Sequence, residues 1–477
     1  MALGLGASQP LALRAMEKYD VVVIGSGPAG EGAAMMLSKN HRKVAVIERY
    51  REVGGGCTHW GTIPSKALRH AVKTLADVRA NPLLGKLAFT LSVTLPQLLS
   101  TANGVIDAQV QMRRRFYERN RVPVLEGEAR FIDAHTLEVR PPVGEPYRLE
   151  TAQVVIATGS RPYHPPGLDF THPRVLDSDS VLRYSGSPFN ITIYGAGVIG
   201  CEYASIFLNM GIKVTLVNTQ DRLLSFMDEE IAEALSYHLR DQGCIIRHNE
   251  QFDHLEARAD DVLLHLKSAR TIKSDVLLWA NGRTGNTDGM NLEAVGITPN
   301  QRGQIAVNEH YQTSASNVFA VGDVIGPPAL ASAAYQQGGQ VGRYIIDPTI
   351  APTRFDLIPS GIYTIPEISS VGRTERELQE AGIPYEIGHT HFKSLARAQM
   401  TSQRVGMLKI LFHTKTLEIL GVHCFGDNAS EIVHIGQTVM ASRDLNNLRY
   451  FINTTFNYPT MAEAYRIAAY NGLNRLA

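Results

Sequence analysis

The sequence is poor in the features that mark several specialised protein classes. It has 4 cysteines among 477 residues, and Cys57, Cys201, Cys244 and Cys424 are widely scattered. This spacing excludes a disulfide framework and offers no CxxC or CxxH pair for zinc. No apolar run approaches the roughly 18–20 residues that a membrane-spanning helix needs. We therefore expect neither a metal centre nor a transmembrane segment.

An excess of charge of one sign is also absent. The 46 Lys and Arg residues balance 46 Asp and Glu residues, so no global field attracts nucleic acid or anionic lipid. Residues 1–15 are mildly apolar, but their first basic residue is Arg14, and they lack the charged start of a signal peptide. We expect a disordered extension at 1–15, with a targeting signal as the weaker alternative, and a cytoplasmic protein.

A chain of this length is too long for one hydrophobic core and predicts about two to four domains. The order strand, glycine turn, helix, strand occurs twice, in "KYDVVVIGSGPAGEGAAMMLSK" with "KVAVIER" and in "NITIYGAGVIGCEYASIFLNMGIKVTLVN". Two such units predict two Rossmann-like dinucleotide-binding domains. Beyond about Pro348 the pattern changes to antiparallel strands followed by a helix, which favours an α+β domain. We predict an α/β protein with domains at 16–162 plus 285–347, at 163–284 and at 348–477.

The first glycine motif is Gly25-x-Gly27-x-x-Gly30. Its glycines allow a tight turn, close approach of a pyrophosphate and close packing of helix on strand, while the helix start offers unpaired N–H groups to the phosphates. Glu48 ends the next strand, where a carboxylate accepts hydrogen bonds from ribose hydroxyls. In this context the motif predicts dinucleotide binding rather than a structural turn.

The second motif, Gly195-x-Gly197-x-x-Gly200, has the same context but a different strand end. Asn218 stands where an NAD-selective site has a carboxylate that repels a 2′-phosphate. The site therefore need not reject NADP. Arg222, four residues further, is either a phosphate ligand or a plain surface arginine.

Two dinucleotide sites in one chain indicate one bound flavin and one nicotinamide substrate. The order of the motifs, from GxGxxG through "GGGC…GTIPSKAL", "ATGSRP", the second GxGxxG, "VFAVGD" and "YPTMAEA", resembles that of the class I FAD-containing pyridine nucleotide–disulfide oxidoreductases. The resemblance covers nearly the whole chain from Met16. It implies FAD, NAD(H) and NADP(H), and a homodimer formed through the C-terminal domain.

The resemblance also implies roles for individual residues. Lys66 and Glu202 correspond to the catalytic ion pair beside flavin N5, where a lysine stabilises negative charge on the reduced ring, and Tyr458 and Glu463 face the partner's flavin. The implied FAD site comprises Gly25, Ser26, Gly27, Pro28, Ala29, Gly30, Glu48, Arg49, Gly55, Gly56, Cys57, Thr58, Lys66, Ala129, Thr158, Gly159, Asp323 and Ala331. The implied nicotinamide site comprises Gly195, Gly197, Val198, Ile199, Gly200, Glu202, Asn218, Arg222 and Gly282.

The chain departs from the disulfide reductases at both thiol-handling positions. Thr62 stands where the partner of Cys57 is expected, and Tyr458 replaces the histidine of the His-Pro-Thr-x-x-Glu motif. A hydroxyl forms no disulfide, and tyrosine is a poor proton shuttle at neutral pH. Electrons therefore cannot pass through a protein dithiol, and Cys57 becomes a small packing residue or, less favourably, a reactive thiol.

Without a dithiol, the simplest second substrate is another nicotinamide. The segments "GGGCTHWGTIPSKAL" and "FNYPTMAEAY" are very close to those of family members that pass hydride from NADPH through the flavin to NAD⁺. One alternative is an NAD(P)H oxidoreductase that feeds a quinone, oxygen or a disulfide. A more distant one is a non-catalytic flavoprotein that senses redox state. Of the remaining features, Arg113, Arg114 and Arg115 are most simply a solvated helix face.

Overall fold

The computed structural model describes residues 16–81, 83–84, 93–352 and 356–476. The extension at 1–15, which we predict to be disordered, lies outside the described residues. By its internal contacts the chain divides into two compact units. Of the described residues, unit 1 contains 16–59, 106–161 and 283–352, and unit 2 contains 60–81, 83–84, 93–105, 162–282 and 356–476. The three-domain division inferred from the sequence stays a prediction.

The strands are β1 Glu17–Ile24, β2 Val44–Glu48, β3 Val124–Glu126, β4 Glu128–Phe131, β5 Thr136–Arg140, β6 Tyr147–Ile156, β7 Ser160–Pro162, β8 Val175–Asp177, β9 Asn190–Tyr194, β10 Lys213–Val217, β11 Ile245–Arg247, β12 Phe252–Ala257, β13 Val262–Leu266, β14 Thr271–Ser274, β15 Val276–Trp279, β16 Arg283–Gly285, β17 Val318–Ala320, β18 Ser360–Ile362, β19 Glu367–Gly372, β20 Tyr385–His391, β21 Gly406–His413 and β22 Ile419–Gly426.

The α-helices are α1 Pro28–Lys39, α2 Gly55–His59, α3 Thr62–Ala80, α4 Leu95–Arg119, α5 Val198–Asn209, α6 Glu229–Asp241, α7 Ala331–Ile346, α8 Glu375–Glu380, α9 Ala396–Met400, α10 Ala429–Ala441, α11 Arg449–Asn453 and α12 Glu463–Arg475. Short 3₁₀ turns occupy Val181–Arg183, Leu292–Val295, Gly322–Ile325 and Phe392–Ser394.

Unit 1 is built on a sheet with the order β3-β2-β1-β6-β5-β4, with β17 also paired to β6. Strand β1 runs parallel to β2 and β6, and its Val and Ile residues are buried because both faces of the sheet are covered. Val21 and Val23 face the core under α1 and α7, whereas Val22 and Ile24 face the opposite core. The central position of β1 puts the first glycine motif at the carboxyl edge of the sheet.

Unit 2 repeats this design with a parallel sheet of order β11-β10-β9-β15-β8, and it adds an antiparallel sheet β12-β13-β14. The second glycine motif follows the central strand β9. Tyr194 at the end of β9 stacks on Trp279 of β15, with ring centroids 4.4 Å apart. Both rings belong to a core that also includes Leu264 and Leu266 of β13.

The C-terminal part of unit 2 is an antiparallel sheet of order β18-β19-β22-β21-β20. Helices α10, α11 and α12 contribute Val433, Phe451 and Tyr465 to the core on this sheet. The Tyr465 hydroxyl donates a hydrogen bond to the Ile432 carbonyl at 2.8 Å, which satisfies a buried polar group. The predicted α/β architecture with a C-terminal α+β part is confirmed.

The prediction that Arg113 lies on a solvated helix face was wrong. The side chain of Arg113 is only 13% exposed and forms an ion pair with buried Glu31 of α1, at 3.1 Å from Nε to Oε2. Burial raises the pKa of Glu31, and Arg113 opposes that shift. The arginine therefore compensates a buried acid in α1.

Among the described residues, no helix combines the length and the apolar character needed to cross a bilayer.

Candidate functional site

The first glycine turn has the geometry of a phosphate-binding loop. Gly25 has φ +105°, and a methyl group on Gly30 would overlap the Gly25 carbonyl oxygen. Helix α1 begins at Pro28, and its N-cap residue Gly27 has no side-chain cap. The first N–H groups of the helix are therefore available to an anionic ligand.

Ser26, within this turn, links the glycine motif to two other predicted elements. Its backbone N–H and its hydroxyl both donate to Glu48 Oε2, at 2.9 and 2.6 Å. The N–H of Gly54 donates to Ser26 Oγ at 3.0 Å. Glu48 is 5% exposed, and its other oxygen accepts from the Tyr50 N–H at 3.1 Å. The loop that leads to Cys57 is thus hydrogen-bonded to the first glycine motif through Ser26.

Among the described residues of unit 1, four buried side-chain hydroxyl groups have no hydrogen-bond partner in the protein, and two of them bear on the cofactor site. These two belong to Thr58 in α2 and to Thr158 beyond the end of β6, and both residues are in the predicted FAD set. Buried polar groups normally have a partner, so these two hydroxyls fit a site that a polar cofactor completes. A Cβ on Gly27 would have no neighbour closer than 3.9 Å, which leaves room for a phosphate at the turn.

Asp323 is held by a short chain of hydrogen bonds. The Ser160 hydroxyl donates to Asp323 Oδ2 at 2.7 Å, and Arg283 Nε donates to the same Ser160 oxygen at 2.8 Å. Asp323 lies in a 3₁₀ turn, and the N–H of Gly322 donates to Gln337 Oε1 at 2.8 Å. The sequence analysis did not name Ser160 or Arg283 as site residues, although Ser160 lies in the motif "ATGSRP".

The other predicted FAD residues are divided between the units. Lys66 belongs to unit 2, whereas the remaining members of the set lie in unit 1. Gly55, Gly56 and half-buried Cys57 form the start of α2. Arg49 is exposed, and its guanidinium lies over the Tyr50 ring. Ala129 is buried in β4, and Gly159 has φ +69°. Ala331 is the first residue of α7.

The second glycine turn repeats the first. Gly195 has φ +109°, and a methyl group on Gly200 would overlap the Gly195 carbonyl oxygen. A Cβ on Gly197 would meet nothing within 4 Å. Helix α5 begins at Val198 without a side-chain cap, so Val198, Ile199 and Gly200 form a first turn with unpaired N–H groups.

Asn218 directly follows β10 and is 4% exposed. Its side-chain amide donates to the Arg222 carbonyl at 2.7 Å and contacts His248 Nδ1 at 3.1 Å, while Oδ1 accepts from the Gln220 N–H at 3.2 Å. Burial, followed by the Arg240 guanidinium, lowers the pKa of His248, so this imidazole is neutral at pH 7. Asn218 therefore fixes the loop that follows β10.

Arg222 is not a plain surface arginine. Its side chain is only 22% exposed, and its NH1 group contacts Glu229 Oε1 at 3.0 Å. Its Nε is buried and has no hydrogen-bond partner. Gly282, the last predicted nicotinamide residue, has φ +98° and accepts a hydrogen bond from the Tyr163 N–H at 3.1 Å.

Lys66 and Glu202 form an ion pair within unit 2, as the resemblance implied. Lys66 Nζ lies 2.7 Å from Glu202 Oε2, with the lysine side chain 27% and the glutamate side chain 7% exposed. Glu202 Oε1 accepts from the Tyr363 N–H at 2.8 Å, and Lys66 Nζ lies 5.1 Å from the centre of the Tyr363 ring. Burial raises the pKa of Tyr363, with Glu367 and Glu202 adding to the shift. The ammonium group is thus held by a fixed carboxylate and an aromatic face.

Helix α3, which carries Lys66, is anchored by a buried arginine that the sequence analysis missed. Arg69 NH1 lies 2.9 Å from Glu367 Oε1, and Arg69 NH2 donates to the Thr364 carbonyl at 3.0 Å. The Ser430 hydroxyl donates to the other Glu367 oxygen at 2.6 Å. One signal was present, because Arg69 is one turn after Lys66 on the same helix.

The C-terminal motif is partly exposed in the single chain. Tyr458 is 66% exposed, whereas Glu463 at the start of α12 is largely buried and pairs with Arg466 at 2.5 Å. Thr62 is exposed at the first position of α3. None of Cys57, Cys201, Cys244 and Cys424 forms a disulfide, and burial raises the pKa of Cys244 to about 12.

Comparison with known proteins gives these sites a context. Residues 19–338 match the sequence model described as pyridine nucleotide-disulphide oxidoreductase. Residues 358–469 match the dimerisation domain of the same group. The chain belongs to the pyridine nucleotide-disulphide oxidoreductase family.

Within this family, the chain is similar to curated proteins named soluble pyridine nucleotide transhydrogenase. The Pseudomonas aeruginosa protein is 58% identical over 464 residues, covering 97% of this chain and 100% of that protein. The Erwinia tasmaniensis protein is 56% identical over 459 residues, covering 96% and 98%. These values confirm the resemblance inferred from the motifs.

A solved structure in the same family extends the comparison to the fold. The HOCl-induced flavoprotein disulfide reductase RclA from Escherichia coli aligns with a TM-score of 0.84 and 27% identity, covering 95% of this chain and 99% of that chain. The family uses FAD and nicotinamide dinucleotides. The residues around the first glycine turn fit that cofactor, because they combine open phosphate-facing N–H groups with two unpartnered hydroxyls.

Proposed function

We propose that this protein transfers hydride from NADPH to NAD⁺, giving NADP⁺ and NADH, through one tightly bound FAD per subunit and without a redox-active disulfide. The observation that carries the proposal is the loss of both thiol-handling groups from a chain in which both glycine turns are intact. Thr62 and Tyr458 occupy the two positions, and the four cysteines form no disulfide. The relatives named soluble pyridine nucleotide transhydrogenase support the same activity.

The bound flavin would supply the hydride acceptor and donor. The chain would supply its electrostatic environment, because the Lys66 ammonium is oriented by Glu202 and by the Tyr363 ring. Both oxygens of Glu202 are hydrogen-bonded, so the ion pair needs little reorganisation when negative charge develops nearby. Arg69 and Glu367 keep the helix that carries Lys66 in place.

The second glycine turn would admit both nicotinamide dinucleotides in succession. Asn218 places a neutral amide directly after β10, where its side chain contacts Arg222 and Gln220 of the same loop and His248 after β11. No carboxylate at this position repels a 2′-phosphate, and the ribose hydroxyls of NAD⁺ need no charge to bind. Arg222, whose Nε has no partner, is the proposed phosphate contact.

We further infer a cytoplasmic homodimer. The match to a dimerisation domain and the exposure of Tyr458 support an arrangement in which Tyr458 and Glu463 approach the partner's flavin. Analytical ultracentrifugation of the FAD-loaded protein tests the subunit number, and the ratio of flavin to protein absorbance tests the FAD content.

Anaerobic half-reactions test the activity directly. One equivalent of NADPH is mixed with the oxidised protein, and an NAD⁺ analogue whose reduced form absorbs at a distinct wavelength is added next. We expect the flavin absorbance to bleach and then to recover as reduced analogue forms in equal amount. Bleaching without recovery would refute transfer between nicotinamides and leave an oxidoreductase with a quinone, oxygen or disulfide acceptor. Absence of bleaching would leave a non-catalytic flavoprotein.

A further inference from the structure

The outward face of the small sheet β12-β13-β14 carries a group of side chains that neither nucleotide site uses. Its inward residues Leu264, Leu266 and Val262 lie in a core of unit 2. On the opposite face, His254 of β12 lies directly across from His265 of β13, and their rings stack with centroids 4.2 Å apart and planes 4° apart. Glu256, two residues after His254, points to the same face because side chains alternate along a strand.

These three side chains offer three metal-binding atoms close together. One donor atom from each of His254, Glu256 and His265 lies within 4.8 Å of the others, and His265 Nε2 lies 3.2 Å from Glu256 Oε1. Two ligands of a tetrahedral zinc ion, with bonds of about 2.0–2.1 Å, are roughly 3.3–3.4 Å apart. The His265–Glu256 pair already has this separation, and rotation of the exposed His254 side chain closes the remaining gap.

The second nitrogen of each histidine has a partner that orients the ring. His254 Nδ1 lies 2.8 Å from Asp253 Oδ2, and His265 Nδ1 lies 3.0 Å from the Thr271 hydroxyl. In the tautomer that donates Nδ1–H to these partners, each Nε2 keeps its lone pair for a ligand. Histidines that bind metals in proteins have such outer partners, usually a carboxylate or another oxygen. His265 Nε2 is itself buried and faces Glu256 Oε1.

A bulge in β12 makes the Asp253–His254 contact possible. The register between β12 and β13 shifts between Phe252 and His254, so Asp253 is the extra residue. In a regular strand, neighbouring residues point to opposite faces, whereas a bulge turns both toward one side. The bulge therefore places the Asp253 carboxylate beside the His254 ring, and the carboxylate orients that ring.

The surrounding charges leave one oxygen of Glu256 available. Arg258 NH2 lies 2.9 Å from Glu256 Oε2. The other oxygen, Oε1, faces His265 Nε2. The positive charges of Arg258 and Lys273 are offset by Asp261, which contacts both, and by Asp253.

We propose that His254, His265 and Glu256 bind a divalent transition-metal ion, with Zn²⁺ as the reference ion, through the two Nε2 atoms and Oε1. Two imidazoles and one carboxylate suit zinc and its neighbours rather than magnesium or calcium. Three protein ligands leave a fourth position for water. Because the ligands come from two strands, the ion would join β12 to β13 and stabilise this sheet.

Calorimetric titration with ZnCl₂ tests the proposal on tag-free, FAD-loaded protein that has been treated with EDTA and returned to a non-chelating buffer. We expect one ion bound per chain. H265A and H254A should each weaken the binding at least tenfold, because two ligands rarely hold zinc firmly. The matched control is H70A, which removes an exposed histidine from helix α3 and should bind as the wild type does. Equal binding by all four proteins, or no binding by the wild type, would overturn the proposal.

Three further measurements test the assigned ligands, and the first two need no histidine variant. E256Q keeps the shape of the side chain but removes its charge, and it should weaken binding about tenfold. D253N leaves all three ligands in place and should weaken binding through loss of ring orientation, by about tenfold or more. Electron paramagnetic resonance of the Cu²⁺-loaded protein should show nitrogen hyperfine coupling in the wild type that is reduced in H265A. Unchanged zinc affinity in E256Q together with an unchanged copper spectrum in H265A would refute the assigned ligands.

Discussion

The two glycine turns have nearly the same backbone but different side-chain support. Gly25 and Gly195 have φ +105° and +109°, and both following helices begin without a side-chain cap. In the first turn, Ser26 donates two hydrogen bonds to buried Glu48 and accepts one from the Gly54 N–H. In the second, the corresponding residue is Ala196, which has no hydroxyl group.

The polar residues Glu48, at the end of β2, and Asn218, directly after β10, also differ in the contacts that they make. Glu48 binds the glycine turn that precedes its own strand, whereas the Asn218 side chain binds the loop that follows β10 and His248, which follows β11. Hydrogen bonds of Ser26 therefore connect the first turn to the end of β2 and to the loop that leads to Cys57. We infer that this support suits a cofactor that stays bound, and that the less constrained second turn suits substrates that must exchange.

The largest effect should come from replacing the third glycine of each turn, Gly30 or Gly200, with alanine. In both G30A and G200A the new methyl group overlaps a backbone carbonyl oxygen, an overlap that costs about 1–3 kcal/mol or more. G30A should be purified without flavin, whereas G200A should keep FAD and lose its reduction by NADPH. Flavin absorbance after gel filtration and anaerobic NADPH titration measure the two results. Loss of FAD from G200A, with G30A unaffected, would reverse our assignment of the turns.

The next largest effect should follow loss of the charge that orients Lys66. E202Q keeps the size of the side chain but weakens the ion pair, and we expect flavin reduction by NADPH to slow about a hundredfold, the usual size of a lost electrostatic contribution. FAD content should stay the same. E233Q, an exposed glutamate of α6, serves as the control. Stopped-flow reduction rates within threefold of wild type in E202Q would show that the ion pair has no catalytic role.

Removing the serine support should make the first turn resemble the second. S26A deletes the hydroxyl that donates to Glu48 and accepts from Gly54, and hydrogen bonds to charged groups contribute about 1.5–3 kcal/mol. We expect FAD to dissociate about tenfold faster, measured by flavin fluorescence after dilution. A196S, the reciprocal change in the second turn, should leave FAD dissociation unchanged. Equal FAD retention in S26A and wild type would contradict the proposed difference between the turns.

Giving the second site the acid of the first should change its selectivity. N218D adds a negative charge near the expected 2′-phosphate, and a repulsion of roughly 1 kcal/mol corresponds to about a fivefold loss of NADPH affinity relative to NADH. N218A removes the hydrogen bonds to Arg222 and His248 without adding charge, so it separates the electrostatic effect from damage to the loop. If N218D and N218A change the ratio of the KM for NADPH to the KM for NADH equally, charge at this position does not control selectivity.

The smallest effect should come from Cys57. Since no proposed step uses its thiol, C57S should change transfer between nicotinamides by less than about threefold, measured by steady-state reduction of the NAD⁺ analogue. A loss of about a hundredfold, or about 2.7 kcal/mol of barrier, would mean that the thiol takes part in the reaction.

Much of the site was readable from the sequence because its determinants are local. Glycine spacing after a strand specifies the turn and the helix start, and this is why both turns were predicted correctly. The Lys66–Glu202 ion pair came from family resemblance, since 136 residues separate the partners and neither has a local signature. The catalytic role of that pair stays a prediction.

Other features depend on which segments the tertiary structure brings together. Burial of Arg113 depends on where α4 packs against Glu31, and α3 is anchored through Glu367, almost 300 residues from Arg69. The facing histidines of β12 and β13 depend on a strand register and a bulge that periodicity does not reveal. The sequence alone determined the two glycine turns and the loss of the dithiol, because those rest on residue types at short spacing. The tertiary structure decided which polar groups acquire partners, because partners distant in the chain are chosen by packing and register.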